Sequence, residues 1–214
     1  MDILPSWPVF VAFALAVTVL AITPGPDMTL FLSKTLAHGR KAGITTMLGA
    51  TAGLVFHTMF AAFGLTALLA ASATGFMVLK VVGAIYLLWL AFSALRYGSA
   101  FQVDRRQRGE ESLQKLFFTG VGINLLNPKI ILFFVTFLPQ FVSPDDPNAL
   151  GKLVFFGLVF VTWSIPICSG LIFAADQVSD LMRRSPKISR IIDWLFASVF
   201  AGFATVILFE RGRG

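Results

Sequence analysis

Six long apolar stretches, joined by short polar connections, constrain this chain more than any other feature of its sequence. They run approximately from Val9 to Leu36 (interrupted at Pro24–Asp27), Ile44 to Ala71, Phe76 to Tyr97, Phe117 to Phe141, Leu153 to Ala175 and Ile191 to Phe209. At about 1.5 Å per residue, each is long enough as a helix to cross a hydrocarbon core of about 30 Å. The composition agrees: 57% of the 214 residues are hydrophobic, 23 are Phe, and 13% are charged, against about 25% charged in an ordinary soluble domain. A soluble fold of this size cannot hide so much apolar surface. The sequence therefore predicts an all-α integral membrane protein of six transmembrane helices, forming one transmembrane domain over residues 1–214.

The charges between the stretches predict an orientation. The first, third and fifth connections hold Lys34, Arg40 and Lys41; Arg96, Arg105, Arg106, Arg108 and Lys115; and Arg183, Arg184, Lys187 and Arg190. The second connection has no charge, and the fourth has Asp145, Asp146 and Lys152. Twelve basic residues against one place the odd connections in the cytoplasm and both termini outside. The same distribution makes the net charge of +6 a topology signal, so no nucleic-acid partner is expected. Cys168, the one cysteine, has no partner in the chain for a disulfide or a cysteine-based metal cluster. The N-terminal stretch follows Met1-Asp2-Ile3-Leu4, without a basic leader, and runs into Thr23-Pro24-Gly25-Pro26-Asp27. It is expected to be kept as the first helix.

The longest polar segment, Gly98 to Gln114, divides the chain into two sets of three stretches: about 5–97 and about 116–210, with a cytoplasmic linker at about 98–115. Three is odd, so related halves would have to be inverted with respect to each other. An offset of 102 residues places Gly25-Pro26-Asp27 on Asn127-Pro128-Lys129. In both halves a proline interrupts the first stretch, and a Phe-containing run follows. Matched interruptions of this kind point to two inverted three-helix repeats with broken first helices and a site near the membrane midplane.

The chemistry-bearing residues lie at these interruptions. Pro24, Gly25 and Pro26 break the first helix, and Pro128 breaks the corresponding one, because proline removes a backbone donor and clashes with the preceding turn. Asp27 is an intramembrane carboxyl group, costing about 2.5–3.5 kcal/mol on insertion scales, and so a functional candidate. It is equally suited to the N-terminal dipole of the half-helix that follows. Asn127 and Pro128 read as N-cap and first helical residue. Lys129 then sets a cation where the helix dipole opposes it, which points to an anion at that place: Asp27, a substrate carboxylate, or each in turn. Asn124 either lines the same cavity or bonds a neighbouring helix. His57 reads as an interhelical hydrogen-bonding residue and, alternatively, as a proton relay. Gly49 and Gly53 form a small-residue pair for close helix packing. The sequence contains no paired carboxylates at a catalytic spacing, no nucleophile with a base, no phosphate loop and no metal-ligand cluster. No enzymatic activity, cofactor or metal is expected.

The motifs Thr23-Pro24-Gly25-Pro26-Asp27, Gly39-Arg40-Lys41-Ala42-Gly43 with Gly49, Leu79 to Leu87, Asn124 to Lys129 and Phe137-Leu138-Pro139-Gln140-Phe141 resemble the LysE superfamily. Within it they resemble the RhtB branch of bacterial amino-acid exporters. The resemblance implies secondary active export of amino acids or their derivatives across the bacterial inner membrane, driven by proton antiport. The partners it implies are a small-molecule substrate, protons and the lipid bilayer, with a homo-oligomer left open. The residues fit that function: Asp27, Lys129, Asn124 and Asn127 are the candidate substrate site, with Asp27 and His57 as candidates for proton coupling. Export of metal ions or other small metabolites, or a membrane-embedded enzyme or scaffold that transports nothing, are the alternative readings.

Overall fold

The structure, a computed structural model, describes residues 3–97, 111–143 and 146–210. Among these residues every regular element is helical. The chain runs α1 (Trp7–Ile22), α2 (Pro26–His38), α3 (Arg40–Ala71), α4 (Ala73–Tyr97), α5 (Leu113–Leu125) and α6 (Pro128–Leu132). A π-helical turn (Phe133–Phe137) and a 3-10 turn (Leu138–Phe141) extend α6, and α7 (Ala149–Phe173), α8 (Ala175–Arg184) and α9 (Pro186–Glu210) complete the chain. Most of the linker expected at about 98–115 lies outside the described residues, as do Asp145, Arg211 and Arg213.

The expected interruptions occur as sharp bends. The axes of α1 and α2 meet at 52°, and α5 meets the segment Pro128–Phe141 at 50°. The two restarts have the same register: Gly25 and Asn127 are the N-caps, Pro26 and Pro128 the first helical residues, and Asp27 and Lys129 follow. Proline is well placed at a first helical position because the donor it lacks is one the helix does not use there. A single residue, Gly39, turns α2 into α3 with φ +85°, a left-handed conformation open to glycine at little cost.

Helices α3 and α7 are each long and apolar enough to cross a membrane, and each bent pair passes as one further span, giving up to four among the described residues. Helix α3, with 32 residues, is about 48 Å long at about 1.5 Å per residue, more than a bilayer core, so it must tilt or project. Helices α4 and α9, 25 residues each, pack against one another.

The core is aromatic. Phe13 of α1 is fully enclosed, with ring centroids 4.7 Å from Phe156, 5.0 Å from Phe141 and 6.1 Å from Phe133. Lipid offers little hydrophobic driving force between helices, so close packing must supply the cohesion. Glycines supply it between α3 and α5. A Cβ at Gly49 would lie 2.0 Å from the Phe117 carbonyl oxygen, and one at Gly120 would lie 2.1 Å from that of Thr46. Large apolar side chains cover the outside, with Phe60 85%, Leu126 79% and Trp7 74% exposed. That is the surface a bilayer requires and a water-soluble monomer avoids.

Lys34, read from the sequence as a charge of the first connection, lies inside α2 and is buried. It donates to Glu111 Oε2, while Lys115 Nζ reaches Glu111 Oε1 at 3.1 Å and His38 Nε2 stands 3.7 Å from Oε2. The Lys34 ammonium holds the Glu111 carboxyl below the usual carboxylate range. This cluster ties the N-terminus of α5 to α2. Elsewhere, Lys152 donates to Asp146 ahead of α7, and that contact lowers the Asp146 pKa in the same way.

Candidate functional site

Each broken span leaves a carbonyl without its donor, and each gap is filled by a side chain from elsewhere. In an α-helix the carbonyl of residue i accepts from the N–H of residue i+4. Pro24 has no N–H for the Leu20 carbonyl, and Lys129 Nζ donates there instead at 3.1 Å, with a second bond to the Thr23 carbonyl at 2.8 Å. Pro128 likewise has none for the Asn124 carbonyl, which accepts from the Asn127 N–H at 3.0 Å and from His57 Nε2 at 3.2 Å. A carbonyl only accepts, so Nε2 is the nitrogen of His57 that carries the hydrogen.

Lys129 thus escapes the dipole conflict by leaving its own helix. Its backbone N–H is held by the N-cap Asn127 Oδ1 at 3.0 Å, and its ammonium sits at the negative end of α1. The local dipole, which is all the sequence displays, gives no sign of this partner. Asp27 does not cap α2: Gly25 is the N-cap, without a side-chain cap bond. The Asp27 carboxyl instead accepts from Asn124 Nδ2 at 2.7 Å through Oδ2. Asn124 therefore does both things the sequence left open, lining the cavity and bonding across helices. Gly25 explains the close fit, since a Cβ there would come 3.0 Å from Lys129 Nζ.

Asp27, Asn124 and Lys129 face one cavity. Its other walls are mostly apolar: Met28 and Phe31 from α2, Met47 and Leu54 from α3, Ile130 from α6, and Phe160 and Ile165 from α7, with Thr51, Ser164 and Cys168 adding small polar groups. The contributions of α3 and α7 were not singled out from the sequence, where Ser164 and Cys168 flank Pro166 without any pattern marking them. Asn127 is buried beside the Asp27 carboxyl but is not part of the cavity wall. Among the buried side-chain atoms without a close hydrogen-bond partner within the chain are Asp27 Oδ1, Asn124 Oδ1 and Asn127 Nδ2, and the Asn127 amide stands beside the Asp27 carboxyl. Buried polar atoms are ordinarily satisfied, and these three gather around one carboxyl.

His57 lies outside this cavity. Its ring stacks on Phe134 at 5.6 Å, and it lines a separate apolar pocket with Phe56, Phe60 and Leu125. Asn124 stands between it and Asp27, bonded to both. Among the described residues no group of three or more His, Cys, Asp or Glu side chains is placed to hold a metal ion.

The broken apolar spans turn a carboxyl group, an amide and an ammonium into one shared cavity of a membrane protein. The chain belongs to the LysE type translocator family, whose model matches residues 18–211. It is 27% identical to the homoserine/homoserine lactone efflux protein of Salmonella typhimurium, over 88% of this chain and 90% of that protein. It is 30% identical to the leucine efflux protein of Klebsiella pneumoniae, over 91% and 92% of the two chains. An uncharacterized membrane protein of Vibrio cholerae is 32% identical over 91% and 93%. The efflux names agree with the RhtB branch. No solved structure matches the chain.

Proposed function

We propose that this protein is a secondary active exporter of amino acids or amino-acid derivatives, working by proton antiport across the bacterial inner membrane. The observation that carries the reading is the pairing of Asp27 and Lys129, at equivalent positions of two restarted helices, on one cavity. A zwitterion needs an acceptor set for its ammonium and a donor for its carboxylate. Asp27 supplies the acceptors, with its Oδ1 making no close hydrogen bond within the chain. Lys129 uses two of its three protons on Leu20 and Thr23, which leaves one for a substrate carboxylate. The mostly apolar walls suit an aliphatic side chain. Asp27 is the candidate proton carrier, since one charge moved through 100 mV is worth about 2.3 kcal/mol. His57, committed to the Asn124 carbonyl, is the weaker one. This chemistry is binding and translocation, not catalysis.

The assay is export from proteoliposomes under an imposed pH gradient, with leucine and homoserine as first solutes. Uphill movement that collapses with the gradient is the expected result. Flux indifferent to the gradient removes antiport, and no flux of any amino acid or derivative removes the exporter reading.

The same reading includes six spans in two inverted repeats within one domain. Supporting it are the matched bends, the matched N-cap registers and the 25-residue helices α4 and α9, taken as the remaining two crossings. Basic residues then put the odd connections in the cytoplasm and both termini outside. In a Cys168→Ser background, an impermeant thiol reagent added to intact cells should label Asn148→Cys and spare Ser99→Cys. The opposite pattern inverts the topology.

A further inference from the structure

Gly53 faces Asn124 where α3 crosses α5. A Cβ built at Gly53 would lie 2.4 Å from Asn124 Oδ1 and 2.9 Å from its Cβ and Cγ. The other close approaches of these two helices are of a different kind. At Gly49 and Gly120 the added Cβ meets a backbone carbonyl, so those glycines set how near the helices come. At Gly53 it meets one side chain, and that side chain holds the Asp27 carboxyl at 2.7 Å. Asn124 has little freedom to yield. It is 1% exposed, its side-chain Nδ2 is held by Asp27, and its backbone carbonyl is bonded by the Asn127 N–H and by His57.

We propose that Gly53 is a positioning residue of the transport site: the space left by its missing side chain holds the Asn124 amide against α3, with Nδ2 on Asp27. This rests on the export reading and adds to it a residue that touches no substrate. The role differs from the packing role expected for the Gly49 and Gly53 pair, because a methyl at position 53 presses on the site before it presses on the helices.

A double-substitution cycle tests it. Coupled residues give non-additive losses, and independent ones give additive losses. Gly53→Ala should lower kcat/KM for leucine or homoserine export at least about tenfold in the otherwise unsubstituted protein, and less than about twofold in an Asn124→Ala background. Gly49→Ala serves as control, with the same loss in both backgrounds. If Asn124→Ala leaves too little flux to measure, Asn124→Ser, whose shorter side chain also withdraws from position 53 but stays polar, replaces it. If Gly53→Ala fails to fold, folding restored in Gly53→Ala/Asn124→Ala identifies the same contact. Normal export by Gly53→Ala overturns the proposal, as does an equal loss in both backgrounds or misfolding in both. Absence of flux from the unsubstituted protein is a separate outcome: it ends the export reading, and the role of Gly53 with it.

Discussion

Lys129→Ala is expected to abolish export and to destabilise the protein, and the two losses are separable. The substitution removes the Lys129 bond to the Leu20 carbonyl, which Pro24 cannot serve, and the contact to Thr23. Hydrogen bonds to charged groups contribute about 1.5–3 kcal/mol, and carbonyls left unpaired away from water cost a similar amount. A loss of about 2–3 kcal/mol is expected on that basis, read as a fall in thermal unfolding temperature in detergent. Export should fall by more than about a hundredfold, because the substrate carboxylate loses its cation inside the membrane, where charged groups need a partner. Lys129→Arg separates the roles. A guanidinium can donate to two carbonyls at once and should recover part of the stability. Its planar fork does not replace a compact ammonium 3.0 Å from where a Gly25 Cβ would sit, so export should stay at least about tenfold low. Normal transport by Lys129→Ala, or a loss no larger than its lost stability explains, would make Lys129 a cap for α1 and nothing more.

Asp27→Asn should show a large loss of export with little change in stability. The carboxamide has nearly the same shape and keeps an acceptor for Asn124 Nδ2. No cap is lost, because Gly25 holds that position. Stability should change by less than about 1 kcal/mol, as the replaced bond is of ordinary strength. Export should fall roughly a hundredfold with loss of the ammonium's counter-charge, a factor equivalent to about 2.7 kcal/mol. Its dependence on the pH gradient should flatten as well, since an amide carries no proton. The measurement is flux against imposed pH difference for both proteins, beside their unfolding temperatures. Near-normal, gradient-dependent export by Asp27→Asn would take both substrate and proton away from this residue.

Much of the architecture was legible in the sequence because its causes are local. Proline lacks an N–H wherever it stands, and an apolar stretch needs lipid whatever its neighbours, so the breaks at Pro24–Pro26 and Pro128 could be read directly. The Asn127 cap and the equivalent registers of Asp27 and Lys129 followed from the same local rules. The π-helical turn over Phe133–Phe137 carried no such signal; the residues there are ordinary apolar ones.

Who answers each break was a tertiary matter. The donor to Leu20 comes from 109 residues away, and the partner of Asp27 from 97. Helix-dipole reasoning marked Lys129 as out of place on its own helix but could not say that α1 would present its negative end to it. Gly49 and Gly53 look alike in sequence, four residues apart on one helix. Only the packing of α3 on α5 sets one against a backbone and the other against Asn124. The chain itself determined where its helices must break, since missing donors and lipid solvation act within a few residues. Which side chains close those breaks, and so which groups share a cavity, was decided by the packing of helices a hundred residues apart.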